Sequence, residues 1–108
     1  MPQITIKGAE GKEICLVSTE LIDELQELLQ CPRSYFTIEC INSTFIMDGS
    51  YVTAYPFIEV AWFDRGQEVQ DKAAGIITKY IHKLGYENVD IVFKLLEKNR
   101  YYENGVHF

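Results

Sequence analysis

The chain is poor in the residues that build metal sites and disulfide frameworks. Among 108 residues there are three cysteines and two histidines, and neither His82 nor His107 lies in a cluster with metal-ligand spacing. Cys15, Cys31 and Cys40 are odd in number and irregularly spaced, which indicates reduced thiols. These shortages predict a cytoplasmic protein with no metal and no other cofactor.

The chain is also short of positive charge and of long apolar runs. Ten Lys and Arg residues face sixteen Asp and Glu residues, so the net charge is −6. Nucleic-acid binding needs clustered basic residues, and a membrane span needs about 20 apolar residues in succession. No signal-peptide pattern opens the chain. We therefore expect no nucleic-acid partner and no membrane partner, although a small anion held by a few arginines is compatible with this charge.

Proline is rare too, but one of the three prolines occupies residue 2, directly before an alternating segment. Methionine before a small residue is normally removed, which would leave Pro2 with a free secondary amine. A free α-amine titrates near neutrality, and partial burial lowers its pKa further. Pro2 is therefore a candidate general base. The alternative is that Pro2 only begins an edge strand, where its missing N–H is tolerated.

Hydrophobic periodicity predicts four strands and two helices. Apolar residues at helical spacing predict a first helix from about Lys12 to Pro32, which ends it. They predict a second helix with Asp64 as N-cap, Gln67 three residues later, and Gly85 as C-cap. Asp48–Gly49 and Asn104–Gly105 are turn signals. The strands are predicted at Gln3–Lys7, Tyr35–Met47, Pro56–Phe63 and Val89–Leu96.

The order of these elements is a doubled β-α-β unit, with halves at about 2–47 and 56–96 of one domain, 1–108. Each helical return makes the two strands of a unit parallel. The predicted fold is therefore α+β, with the order β-α-β-β-α-β. A four-stranded mixed sheet carries two antiparallel helices on one face. The other face, with Ile41 and Phe45, is partly apolar and uncovered, which favours a homo-oligomer.

The second predicted strand, Tyr35–Met47, exceeds the usual length of about 5–6 residues. Such a length would leave an exposed edge, which is an aggregation hazard. We therefore expect its end to extend across to a neighbouring subunit.

Strand direction brings the three arginines of the chain to the Pro2 end of the sheet. Arg33 precedes strand 2, Arg65 follows strand 3, and Arg100 follows strand 4 together with Tyr101 and Tyr102. Arginine forks suit carboxylates, and neighbouring cations favour a neutral amine. The alternative is that Arg33 and Arg100 are surface residues paired with some of the many acids.

The chain resembles the tautomerase superfamily, and within it the branch similar to macrophage migration inhibitory factor. The resemblance covers essentially the whole chain. It rests on Pro2, on the doubled β-α-β plan, on Cys31-Pro-Arg-Ser-Tyr35 and on Pro56 at the start of strand 3. The segments from Tyr55 to Lys72 and from Arg100 to Gly105 look like a small group of uncharacterised bacterial proteins.

The resemblance implies a homotrimer with an inner barrel of sheets and sites at subunit interfaces. It implies keto–enol tautomerisation with Pro2 as catalytic residue, and Arg65 near the substrate. Two departures stand out: the expected lysine before strand 2 is Cys31, and the arginine expected early in the first helix is at best Lys12. Arg33 and Arg65 would have to replace these charges.

Three functions follow as hypotheses. The first is a tautomerase or isomerase of small 2-oxo or enol carboxylic acids, with Pro2 as base, Arg65 with Arg33 or Arg100 as carboxylate ligands, and Tyr101 or Tyr102 as a donor to the enol oxygen. The second is a non-catalytic homotrimer that binds a small anion or a protein. The third is a thiol enzyme using Cys31, which is disfavoured because a helix C-terminus raises a thiol pKa.

Overall fold

The computed structural model describes residues 1–108 and has the predicted α+β architecture. The main sheet has the order β2-β1-β5-β6, with β1/β2 and β5/β6 parallel and β1/β5 antiparallel. Short 3-10 turns lie at Arg33–Tyr35 and Lys98–Arg100. The elements are β1 Gln3–Lys7, α1 Gly11–Leu29, β2 Thr37–Ile41, β3 Phe45–Met47, β4 Ser50–Val52, β5 Phe57–Phe63, α2 Gln67–Lys83, β6 Asp90–Leu96, β7 Tyr102–Glu103 and β8 Val106–His107.

Both helices cover the same face of the sheet because each has one apolar side. In α1 the buried residues recur every three or four positions, and α2 does the same from Ala73 to Ile81. They pack on the inward residues of the two central strands, with Trp62 the largest fully buried side chain. Neither helix combines the length and the apolarity needed to cross a membrane.

The helix ends show two departures from the sequence prediction, one at each end of α2. Its C-cap is Leu84 and not Gly85, which follows as the next residue with φ 97°. Helix α1 ends as predicted before Pro32, with Gln30 in the left-handed region at φ 52°. Helix α2 does not begin at an Asp64 N-cap: Gly66 is the N-cap residue, with φ 87°. Asp64 instead accepts the Gly66 N–H through Oδ1 at 2.9 Å. The carboxylate therefore closes the turn before the helix, and the positive φ of Gly66 delays helical geometry to Gln67.

The predicted continuous strand from Tyr35 to Met47 is wrong. Strand β2 ends at Ile41, and β3 folds back on β4 as a separate hairpin around Asp48–Gly49. Asp48 and Gly49 both have positive φ, at 50° and 78°, which is the geometry that Asp-Gly favours in a tight hairpin. Strand β1 also offers no further partner, because its last residue, Lys7, already lies opposite Ile41. The β3–β4 hairpin provides the backbone hydrogen bonds that β1 cannot provide beyond Ile41.

The sheet face without helices is mixed in character. Along β5, Phe57, Ala61 and Phe63 belong to the open face, because they alternate with the buried residues of that strand. Between them Glu59 forms an ion pair with Lys94 of β6, with an N–O distance of 3.1 Å. Phe45 lies in the hairpin and not in this sheet. The open face is therefore partly apolar, as expected, but it also holds a charged centre.

Candidate functional site

The chain begins in a buried position at one end of the sheet. Pro2 is fully buried, and its carbonyl oxygen accepts the backbone N–H of Thr37 on β2 at 3.2 Å. The missing N–H of proline costs nothing here, because Pro2 precedes the β1–β5 pairing that begins at Gln3. The neighbouring strand thus holds the backbone around Pro2 at a defined place.

Arg65 lies beside this start of the chain, two residues beyond the end of β5. Its Nη1 donates to the carbonyl oxygen of Leu29, the last residue of α1, at 3.1 Å. Its Nε is buried and has no hydrogen-bond partner. The guanidinium is therefore anchored at one corner, and Nη2, which forms no hydrogen bond within the chain and is not buried, is the donor left for a ligand.

The electrostatic environment favours a neutral amine at the N-terminus. Burial lowers the pKa of the Met1 amine below its ordinary value of 8.0, and the Arg65 charge lowers it further. Cys31 opposes this shift to a smaller extent. An amine at this place loses its proton at a lower pH than an exposed one.

A cleft of about 370 Å³ opens in front of Arg65. Its lining residues are Met1, Tyr35, Phe63, Arg65, Lys98 and Phe108. Three rings form one aromatic cluster at this end of the sheet, with centroid distances of 4.9 to 5.6 Å among Phe63, Tyr101 and Phe108. The Tyr101 hydroxyl accepts a hydrogen bond from the side-chain amide of Gln3 at 3.3 Å. The cleft thus combines cations with a nearby aromatic cluster.

A larger cleft of about 510 Å³ lies at the opposite end of the sheet, between the β1–α1 loop, the end of β2 and the β3–β4 hairpin. Its lining contains no Lys or Arg, and its one charged side chain is the acidic Glu10. A carboxylate has no counter-charge there. We therefore assign the candidate site to the smaller cleft on chemical grounds.

Not all of the predicted site residues meet in this chain. Arg33 turns onto α1, where its Nη1 pairs with Asp23 at 2.6 Å. Arg100 pairs through Nε with Glu97 at 2.5 Å. Tyr102 is exposed and lies edge-on against His107. Of the predicted cations only Arg65 lines the cleft, and Tyr101 belongs to the adjoining aromatic cluster. Cys31 packs half-buried against the core.

Apart from Met1, sequence reasoning missed four cleft residues, Tyr35, Phe63, Lys98 and Phe108. The sequence could have indicated Phe63 and Lys98, because β6 runs parallel to β5 and both strands end at the Pro2 edge of the sheet. Lys98 follows β6 directly, and Phe63 is the last residue of β5. Phe108 returns to this place through the β7–β8 hairpin, with its N–H bonded to the Tyr101 carbonyl oxygen at 3.0 Å. No group of three or more His, Cys, Asp or Glu side chains could hold a metal ion.

Comparison with solved structures shows that this fold occurs in tautomerase-like proteins. A macrophage migration inhibitory factor-like protein from Entamoeba histolytica is 18% identical with a TM-score of 0.75, covering 99% of this chain and 98% of its own. A protein solved in a form inactivated by 2-oxo-3-pentynoate is 12% identical with a TM-score of 0.76, covering 98% and 94%. At these identities the similarity establishes the fold alone.

A nearer similarity extends over the full length. A domain of unknown function from Sebaldella termitidis is 42% identical with a TM-score of 0.93, and the match covers 100% of both chains. No curated protein matches the sequence. The family model described as "Domain of unknown function (DUF1904)" matches residues 1–107, and the chain therefore belongs to the DUF1904 family.

Proposed function

We propose that this protein, once Met1 is removed, is a keto–enol tautomerase of small 2-oxo or enol carboxylic acids. The observation that carries the proposal is the position of the N-terminal amine beside Arg65, where burial and the cation both lower its pKa. Excision of Met1 moves that amine to Pro2, one residue along the same buried segment. A base with a pKa near the working pH is suited to proton transfer at carbon.

The proposed reaction moves one proton and changes no oxidation state. In the ketonising direction, the neutral Pro2 amine takes the proton of the enol hydroxyl and delivers it to the carbon next to the new carbonyl. In the reverse direction, the neutral Pro2 amine removes a proton from that carbon and returns it to the oxygen. Arg65 holds the substrate carboxylate and stabilises the enolate charge that develops between the two states. Tyr101, held by Gln3, is the candidate donor to the enol oxygen.

The distant structural relative inactivated by 2-oxo-3-pentynoate suggests a direct test of the Pro2 amine. We expect this electrophilic 2-oxo acid to add covalently to Pro2 of the processed chain, because a neutral amine is a nucleophile. The matched control is the same chain with Met1 retained, in which the Pro2 nitrogen is an amide. Peptide mass spectrometry should find the adduct on Pro2 of the processed form only. Absence of the adduct from Pro2 of the processed form would contradict the proposal, whereas an adduct on the Met1 amine of the unprocessed form would not, because that amine also has a lowered pKa.

We also propose that the protein is a homotrimer in the cytoplasm. The sheet has an open, partly apolar face, and its outer strands β2 and β6 have free edges in the single chain. Free edges are normally covered, and association of copies is the simplest cover. The three cysteines are free thiols, which suits a reducing compartment. Native mass spectrometry at micromolar concentration should show a trimer, and a stable monomer or dimer would contradict this assembly.

A second candidate function is a non-catalytic trimer that binds a small anion or a protein. Retention of Met1 favours it, because Arg65 keeps its free donor while the Pro2 nitrogen carries no basic lone pair. Intact mass of protein from the native host separates the two functions. Loss of Met1 supports the enzyme, and its retention supports the binding protein.

A further inference from the structure

The basic residues divide into paired and unpaired side chains. Five ion pairs engage five of the ten basic residues, namely Arg33, Lys72, Lys79, Lys94 and Arg100. Arg65 and Lys98 belong to the unpaired group, and both line the cleft at the Pro2 end. Of the five unpaired basic residues, these two alone line this cleft.

The two cations keep most of their hydrogen-bonding capacity. Arg65 uses Nη1 for the Leu29 carbonyl oxygen, and its buried Nε has no partner. Lys98 has three N–H donors, and its side chain forms no hydrogen bond within the chain. No Asp or Glu is among the residues that line the cleft. An anion in the cleft can therefore accept hydrogen bonds from Arg65 Nη2 and from the Lys98 ammonium, which are not buried.

We propose that the cleft selects a 2-oxo acid with a second anionic group, and that Lys98 is the residue that binds this second group. Arg65 takes the carboxylate beside the oxo group, because its fork suits a planar carboxylate. Phe63 and Phe108, which line the same cleft, contact the carbon chain of the ligand. This inference rests on the proposed function, since it assigns the substrate class of the same site.

The second group is an oxyanion, either a carboxylate or a phosphonate-like group. Lysine binds both as a compact point charge, without the geometric preference of an arginine fork. A ligand with only one carboxylate satisfies Arg65 and leaves Lys98 in water. The preference for dianions is therefore a property of Lys98 and is separable from anion binding by Arg65.

The test compares unreactive acids of similar length by calorimetry, on processed protein at low ionic strength, where charge interactions are least screened. The probes are butyrate with one carboxylate, succinate with two, and 3-phosphonopropionate with a carboxylate and a phosphonate. The variants are Lys98→Gln, the charge-preserving Lys98→Arg, and Lys83→Gln as the matched control. Lys83 also lacks a carboxylate partner, but it lies at the far end of α2, against the Tyr80 ring.

In the unaltered protein we expect dianions to bind about three- to fivefold more tightly than butyrate, the range of one partly exposed charge pair. Lys98→Gln should remove this preference and leave the butyrate affinity unchanged. Lys98→Arg should restore the preference, and Lys83→Gln should have no effect. If Lys98→Gln weakens only one of the two dianions, that result identifies the second group.

Two results would overturn the inference, and they differ in what they imply for the function. If all three acids bind and Lys98→Gln behaves like Lys83→Gln, Lys98 has no role and the proposed tautomerase is unaffected. If none of the acids binds and 2-oxo-3-pentynoate still labels Pro2, the assignment of a dianion is wrong while the reactive amine stands. If neither binding nor labelling occurs, both proposals fail together.

Discussion

The two ends of the four-stranded sheet offer very different environments to a ligand. The end at Gly8 and the β3–β4 hairpin has the larger cleft, about 510 Å³, but no cation lines it. The Pro2 end has a cleft of about 370 Å³ with Arg65, Lys98 and an N-terminal amine of lowered pKa. Volume alone would select the end without cations, whereas binding of a carboxylate depends on unpaired donors and charge.

The ends also differ in how tightly the backbone is packed. Gly8 has φ +83°, and a Cβ at this position would lie 2.7 Å from the carbonyl oxygen of Tyr55. The Pro2 end instead contains donors without partners, such as Arg65 Nε. One end thus contains a close backbone approach that requires glycine, and the other contains a buried donor without a protein partner.

The largest expected effect concerns the base itself. Pro2→Ala replaces the secondary amine with a primary one, so ketonisation of 2-hydroxymuconate or phenylenolpyruvate should fall by about 10²–10⁴-fold in kcat/KM. Tyr51→Ala at the opposite end is the control, since Tyr51 is exposed and lines only the larger cleft. Equal activity of the Pro2 variant and the control would remove the functional contrast between the ends.

Arg65→Ala should lower kcat by about 10²-fold if the guanidinium stabilises the enolate, or mainly raise KM if it only holds the ground state. The pH profile gives a second readout. Arg65 lowers the pKa of the N-terminal amine, so its removal raises that pKa. Because the neutral amine is the active form, the rising limb of kcat/KM should move to higher pH. Arg100→Ala, which removes a cation paired with Glu97, should leave the profile in place.

Gly8→Ala tests the packed end and should destabilise the fold without changing kcat of the folded protein. The positive φ alone costs about 1–2 kcal/mol for a residue with a Cβ, and the contact with Tyr55 adds to it. Gly49→Ala is the matched control, because Gly49 has φ +78° but open space around its Cβ position. Urea unfolding should show the larger loss for Gly8→Ala. Equal losses would mean that the close approach contributes nothing.

The smallest effect is expected at a hydrogen bond between the two helices. The Tyr80 hydroxyl donates to Glu24, which raises the Tyr80 pKa to about 12. The folded pKa lies above the ordinary value of 10.0, so this contribution to stability is complete below pH 10 and is lost as the pH rises through about 12. Tyr80→Phe should lower the midpoint of thermal unfolding slightly at pH 7. It should also make that midpoint fall less steeply as the pH rises above 10, because the variant has no phenol to ionise.

Tyr102→Phe is the control for this pair, since the Tyr102 ring is exposed and its hydroxyl has no protein partner. It should leave the thermal midpoint and its alkaline dependence unchanged. An identical response of both variants would show that the Tyr80–Glu24 hydrogen bond does not stabilise the helix pair.

The sequence by itself determined the order and direction of the main elements. Apolar spacing in α1 and α2 and alternation in β1 and β5 are local properties, and a helical return between two strands makes them parallel. The end of the sheet that holds Pro2 and Arg65 follows from those directions alone. The break of the second strand at Ile41 did not follow, because it depends on where the partner strand β1 stops.

Only the tertiary structure decided which cations share the cleft. Arg33 and Arg65 are equally near the Pro2 end by strand direction, but Asp23 on the adjacent turn of α1 engages Arg33, while no acid reaches Arg65. Lys98 and Phe108 enter the cleft through the 3-10 turn after β6 and the β7–β8 hairpin. Long charged side chains take the partner that lies nearest in space, and that partner is set by packing between distant segments rather than by local pattern.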